Sequence, residues 1–326
     1  MSEETETENE YVLIIGSSNM DLNIYSKRLP NLGETVTGGT FKHFLGGKGA
    51  NQAVASVRSG ARTVFIGKIG NDLFGDQMIS RLTDEGVNMD HIFRDSQEPS
   101  GVAFILIDEN GENMISVAPG ANFNLKPDDI RSKTQIIKNA SSIVVQMEIP
   151  MDSIQEIFKI ASEGKTIKIL NPAPLKAIPI EVLRKVDIII PNEGELFRLH
   201  SLLGFNNSIE EGKQKIIHIS KDLANMGVEY IITTLGDKGC IIFEKKTDKI
   251  FEVSAPKVDA VDTVGAGDCF IGVLASILSK GETILNAVNY ATTAASIAVT
   301  RKGAQESMPS LSDIQNKLEK LNLNEQ

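Results

Sequence analysis

Cysteine is nearly missing: Cys240 and Cys269 are the only two in 326 residues. Two cysteines and four scattered histidines offer neither a disulfide framework nor a zinc-binding spacing. No histidine has a paired carboxylate or a ligand spacing along the chain, so none is assigned any chemistry. Basic residues are also scarce. Lys and Arg total 33 against 43 Asp and Glu, a net charge of −10, so nothing suggests the general nucleic-acid affinity that a basic surface gives. No stretch reaches the roughly 18 apolar residues of a membrane span. The opening "MSEETETENE" has five Glu and no basic residue, so it reads as neither a signal nor a transit peptide. Its charge and lack of apolar residues make residues 1–10 an expected disordered acidic tail. The remainder is then only mildly acidic. A cytoplasmic protein is expected (the nucleus is also open in a eukaryote), with neither membrane nor nucleic acid as partner.

Hydrophobic residues, at 41 %, suffice for a substantial core. The strand "YVLIIG" ends in glycine, and "GANQAVASVRSGA" has helical spacing that stops at Gly60. "TVFIGKIG" reads as one strand and "DLFGDQMISRLTDEG" as a helix with an Asp start and a Gly stop. "SSIVVQM", "TIKILN", "VDIIIPN" and "EYIITTLG" are further buried-type strands, with helices between them over 152–163 and 211–226. This alternation predicts an α/β domain over about 11–322, with a mostly parallel sheet covered by helices on both faces. Two stretches break the rhythm. Residues 22–45 carry turn residues and no helix, and 101–118 form a hairpin pattern around Asn110-Gly111. Together, about 19–46 and 101–121 are expected to form a small β lid. After residue 267 the chain reads as mainly helical to Leu321.

Ligands of open α/β sheets bind beyond the carboxyl ends of the strands. "GSSNMD", "PNEGE", "TLGDKG" and "DTVGAGD" are the loops expected there. "EGKT" and "GGKG" both fail as phosphate loops of the G-x-x-x-x-G-K-[ST] kind, and no G-x-G-x-x-G follows the first strand. "GAGD" nevertheless puts glycines at a helix start, where free N–H groups can hold an anion. Asp268 then reads locally in two ways: as a base beside an acceptor hydroxyl, or as a helix-capping acid. Asn19 and Asp21 could hold a polyol or cap a turn. Lys48 reads as a ligand contact or a surface lysine, and Glu148 as a ligand contact or an exposed strand-end acid. Glu193 and Glu195 suit the first turn of a helix, with or without a metal contact. Arg301 and Lys302 suit a solvated helix end, and Cys269 a buried thiol.

"DTVGAGDCFIGVLA" resembles the C-terminal signature of the ribokinase-like (phosphofructokinase-B type) carbohydrate kinases, and "GGKGANQAVASVRSGA" resembles their N-terminal glycine signature. With "GSSNMDL", "LNPAP" and "AVTRKGAQ" the resemblance spans about 11–315 and points to the ribose-phosphorylating branch. It implies a three-layer α/β/α domain with a β lid, and transfer of a phosphoryl group from ATP to O5 of D-ribose, with Mg²⁺ required and K⁺ activating. Asp268 would be the base, with Gly265, Ala266 and Gly267 as the anion hole. Asn19, Asp21, Gly47, Lys48, Asn51 and Glu148 match ribose-binding positions. Asn192 and the loop Thr234, Leu235, Gly236, Asp237, Lys238 and Gly239 match the nucleotide side, and Glu195 the Mg²⁺ region, through water. Asp262, Val264, Ala298, Arg301, Gly303 and Ser307 match the K⁺ positions. Thr292 stands where family members often carry Asn or His near the adenine. The resemblance also implies a homodimer clasped through the lids. Kinases acting on deoxyribose, fructose or a nucleoside are the nearest rivals, followed by a non-catalytic sugar-binding protein on the same fold.

Overall fold

The structure, a computed structural model, describes residues 10–205 and 210–324. The expected acidic tail, except Glu10, lies outside these residues. The main sheet has eight strands, in the spatial order Lys249–Val253, Cys240–Glu244, Tyr230–Thr234, Ile188–Ile189, Ile167–Asn171, Ser142–Gln146, Val12–Ile15 and Thr63–Ile66. The six from Tyr230–Thr234 to Thr63–Ile66 run parallel, and the two at the other edge are antiparallel.

Alternation along each strand splits the core into two layers. Leu13, Ile15, Ile143, Val145, Leu170 and Ile231 pack with Ile154, Phe158, Leu196, Ile219 and Leu223 on one face. Val12, Ile14, Val144, Ile169 and Ile232 pack with Ala53, Val54, Val273, Leu274 and Val288 on the other. The first face is covered by helices Met151–Ala161, Glu193–Leu202 and Gly212–Met226, and the second by Lys48–Arg58, Ala266–Ser279 and Ile284–Ala298.

A second sheet of four strands, in the order Thr40–Gly46, Asn19–Tyr25, Gly101–Ile107 and Asn113–Ala118, is the expected lid. Asn19–Tyr25 pairs antiparallel with Thr40–Gly46 and parallel with Gly101–Ile107, and the predicted hairpin closes at Gly111, whose φ is 83°. Met20 anchors this sheet to the body by packing with Ile69 and Met78.

Several elements differ from the sequence reading. "TVFIGKIG" is two strands, Thr63–Ile66 in the main sheet and Lys68–Gly70 paired with Phe93–Asp95. Gly67 separates them where a Cβ would lie 2.8 Å from the Gly16 carbonyl oxygen. "VDIIIPN" shortens to Ile188–Ile189, and the antiparallel edge pair had no counterpart in the reading. The last helix, Leu311–Asn324, continues past the expected end at 322. Among the described residues, no helix is long and apolar enough to cross a membrane.

Candidate active site

Asp268 sits in the first turn of helix Ala266–Ser279, behind Gly265 in the left-handed conformation at φ 76°. The start of a 14-residue helix therefore faces the loops at the carboxyl ends of the parallel strands. The Ala266 amide bonds back to the Thr263 carbonyl at 3.3 Å. Gly267 has nothing within 4 Å of its missing Cβ, so the turn is open there to a close approach.

The Asp268 carboxylate, 7 % exposed, is held from helix Lys48–Arg58. Asn51 Nδ2 donates to one oxygen at 3.0 Å and Gln52 Nε2 to the other at 2.9 Å. The two helices approach closely because position 272 is glycine: a Cβ there would lie 2.3 Å from the Gln52 carbonyl oxygen. Further amides fix these donors. Gln146 Nε2 donates to Gln52 Oε1 at 2.6 Å, and Gln305 Nε2 to Asn51 Oδ1 at 3.2 Å. Asn171 Oδ1 accepts from Gln52 at 3.3 Å, while its Nδ2 donates to the Ile190 carbonyl at 3.1 Å. Lys48 supplies the positive charge beside Asp268. Asp268 is the main cause holding its ammonium pKa above the usual value; burial opposes this, and Glu148 and Glu195 add to it.

Asp268 borders a cleft of about 780 Å³. Lys48, Asn192, Glu195, Thr234, Gly236, Asp237, Gly239, Gly265, Ala266, Gly267 and Thr292 also line it, which brings together most of the expected nucleotide side. Leu235 and Lys238 lie on the same loop but do not line the cleft. Gly239, at φ 94°, lets the loop turn against the edge strand, where a Cβ would meet the Val253 carbonyl oxygen. Asn192 caps its helix: Asn192 Oδ1 accepts from the Glu195 amide, and Glu195 Oε2 from the Asn192 amide, both at 2.8 Å. Thr292 is buried in the cleft wall, and its hydroxyl has no hydrogen-bond partner of normal geometry.

A smaller pocket of about 290 Å³ lies under the lid, between Ser17, Asn19, Val117, Phe123, Glu148 and Lys176. Adjacent parallel strands bring Ser17 and Glu148 together, and Ser17 Oγ donates to Glu148 Oε2 at 2.5 Å. The Lys48 amide donates to the same oxygen at 3.1 Å. Asn19 Oδ1 accepts from Asn122 Nδ2 at 2.8 Å, and Asn122 Oδ1 accepts from the Ser18 amide at 3.0 Å. Glycines make the room. A Cβ at Gly101 would lie 2.3 Å from both Asn19 Oδ1 and Asn122 Nδ2. One at Gly47, where φ is 88°, would lie 2.8 Å from the Asn19 amide nitrogen. Burial, reinforced by Glu148, Glu306 and Asp268, pushes the Asp21 carboxyl up to about 7. Lys176 Nζ stands 4.5 Å from the centre of the Phe123 ring, and burial lowers its pKa.

The six expected K⁺ positions gather behind the glycine turn. Asp262 ties two loops: its Oδ1 accepts from the Val264 amide at 3.0 Å and its Oδ2 from the Gly303 amide at 2.9 Å. The amides of Val261 and Asp262 both reach the Val299 carbonyl. Ser307 Oγ donates to the Ala304 carbonyl, and the Arg301 amide to the Ala298 carbonyl. The Arg301 side chain turns away to Asp313 at 3.2 Å. The donors here are carboxylate, hydroxyl and carbonyl oxygens, a set that suits a hard cation. Glu195 likewise offers a carboxylate at the cleft, suited to Mg²⁺ through water.

Sequence reasoning missed Ser17, Gln52, Asn122, Gln146, Asn171, Lys176 and Gln305. The available signal was an amide inside an apolar run, such as Gln52 among alanines or Asn171 closing "TIKILN". The histidines also need correction. His200 Nε2 lies 2.8 Å from Asp222 Oδ2, a pairing between helices that linear spacing does not display.

The model of the pfkB family carbohydrate kinases matches residues 9–311. A bifunctional ribokinase/ribose-5-phosphate isomerase A of Fructilactobacillus sanfranciscensis is 37 % identical over 310 residues, covering 94 % of this chain and 55 % of that longer protein. A deoxyribokinase of Salmonella typhi is 34 % identical, covering 96 % of this chain and 99 % of its own. The structure of an Arabidopsis thaliana ribokinase complexed with ribose and ATP superposes with a TM-score of 0.86 at 32 % identity, covering 94 % and 98 % of the two chains. The chain belongs to the pfkB family of carbohydrate kinases.

Proposed function

We propose that the protein transfers the γ-phosphoryl group of ATP to O5 of D-ribose, giving D-ribose 5-phosphate and ADP. The observation that carries this reading is the place of Asp268: a buried carboxylate, oriented by two amides, at a helix start bordering a cleft large enough for a nucleotide. Asp268 accepts the proton of the 5-hydroxyl as O5 forms its bond to phosphorus, and the bond to the β-phosphate bridging oxygen breaks in line. Amides of the Gly265–Gly267 turn, with the helix dipole, face the transferring charge. Lys48 balances the acids around the reacting atoms. Asn19, Asp21, Asn51 and Glu148 orient the sugar hydroxyls, while the lid excludes water as a competing acceptor.

Glu195 and the Asp262 loops are the residues that would hold Mg²⁺ and K⁺. When bound, these ions would supply positive charge to the phosphoryl oxygens and steady the glycine turn. The lid carries Phe41, Phe104, Met114, Ile115 and Val117, each more than half exposed. Register puts Phe41, Phe104 and Met114 on one face of this sheet and Ile115 and Val117 on the other; the first face supports pairing with the lid of a second copy, which sedimentation mass would test.

The decisive assay is ADP release with ribose, 2-deoxyribose, fructose and adenosine, each with and without K⁺. Ribose is expected to give the highest kcat/KM. Highest turnover on 2-deoxyribose would favour the second reading, which the deoxyribokinase relative keeps in view. No turnover on any of the four would overturn the assignment.

A further inference from the structure

Two histidines and two acids gather away from the phosphoryl-transfer site, where helices Glu193–Leu202 and Gly212–Met226 meet. His200 lies eight residues beyond Asn192, about 12 Å along its helix at 1.5 Å per residue. The nitrogen and oxygen ligand atoms of His200, His218 and Asp222 all fall within 4.8 Å of one another. Among the described residues, this is the one group of three or more His, Cys, Asp or Glu side chains with that geometry.

We propose that His200, His218 and Asp222 form a binding site for a first-row transition metal ion of the Zn²⁺ class. The donor chemistry is two imidazoles and one carboxylate, with room for water as a fourth ligand. Zinc bonds of about 2.0–2.1 Å in a tetrahedron separate neighbouring ligand atoms by about 3.3 Å. Asp222 Oδ2 lies 2.8 Å from His200 Nε2 and 3.6 Å from His218 Nε2, so shifts of a few tenths of an ångström open one pair and close the other.

The surroundings already orient these rings. Phe205 stacks on His200 with ring centres 4.6 Å apart and planes within 4°, fixing the imidazole plane. Glu210 Oε2 lies 3.6 Å from His218 Nδ1, the outer carboxylate position that leaves Nε2 for a metal. His218 and Asp222 are one helical turn apart on the same face. The His200 side chain is 3 % exposed and His218 is 47 % exposed, so the site has a closed floor and an open mouth. A bound ion would staple the two helices together, and stability is the expected readout.

The test uses untagged full-length protein stripped with a chelator, then saturated with Mg²⁺ and K⁺ to fill the two cation sites proposed above. Calorimetry with Zn²⁺ and the visible absorption of bound Co²⁺ measure occupancy. One Zn²⁺ per chain is expected, with a rise in thermal midpoint. His218→Gln, at an exposed position, should weaken binding by more than about tenfold and abolish the rise. Glu210→Gln should weaken it less, by about tenfold, the lower end for an outer carboxylate. No stoichiometric Zn²⁺ in the parent protein, or equal affinity in His218→Gln, would overturn the site.

Discussion

The nucleotide cleft and the lid pocket are built by different means. Two short contiguous loops, Thr234–Gly239 and Gly265–Gly267, border part of the nucleotide cleft, and Gly236, Gly239 and Gly265 shape them at positive φ. The lid pocket instead assembles side chains from separate parts of the chain: Ser17 meets Glu148 across 131 positions, and Asn19 meets Asn122 across 103. In the cleft a glycine shapes the backbone that faces the ligand. In the lid pocket a glycine such as Gly101 makes room for another residue's side chain. A site lined by backbone tolerates side-chain changes, whereas one assembled from side chains fails when a single methyl intrudes.

Asp268 borders the nucleotide cleft and is the proposed base, so its replacement should have the largest effect. Asp268→Asn is expected to lower kcat by about 10²–10⁴-fold, the usual worth of a general base, while ribose affinity stays within a few-fold. Single-turnover kinetics and calorimetry separate the two quantities, and near-normal turnover would remove Asp268 from its role.

Gly101→Ala tests the sugar side alone. The new Cβ must displace Asn19 or Asn122, so KM for ribose should rise about tenfold, the equivalent of one lost hydrogen bond. KM for ATP should hardly move. An equal rise in both would mean that the pockets are not built independently.

Asp21→Asn sharpens the electrostatic side of the comparison. The folded protein keeps the Asp21 proton up to about pH 7, whereas an unfolded chain releases it at about pH 3.9. Asp21 therefore costs no stability below the unfolded pKa. Its cost grows as pH rises towards the folded pKa and is complete above it. The thermal midpoint of sugar-free Asp21→Asn should exceed the parent's at about pH 8, and the gap should narrow towards about pH 5. A gap independent of pH would rule this account out.

Thr292→Val should have the smallest effect. It removes a buried hydroxyl without a hydrogen-bond partner of normal geometry, so stability should hold or rise slightly, and KM for ATP should change by less than about threefold. A tenfold loss of ATP affinity would make that hydroxyl a nucleotide contact.

The parallel core strands were legible because runs such as "VLII" and "SIVVQ" are buried on both faces and carry β-branched residues. The lid was legible from its turn chemistry, since Asn110-Gly111 leaves a hairpin little alternative. "TVFIGKIG" was misread because an apolar run does not reveal that Gly67 sends its second half to another sheet. The edge pair Cys240–Glu244 and Lys249–Val253 was not recognised because its loop, "KKTD", has neither glycine nor proline and turns on Asp248 alone, at φ 52°. In the site, glycine motifs and the acid beside them were visible as contiguous letters. Gln52, Asn122 and Gln305 were not, because their partners are distant in sequence.

The sequence by itself determined the alternation of strands and helices, the glycine turn before Asp268 and the lid insertion, since each depends on residues within a few positions of one another. Tertiary structure alone decided that Asn51 and Gln52 hold Asp268 from 217 and 216 positions away, that Lys48 stands beside it, and that His200 meets Asp222. These contacts depend on how closely packed helices cross, as at Gly272, and that is set by the whole core rather than by any one segment.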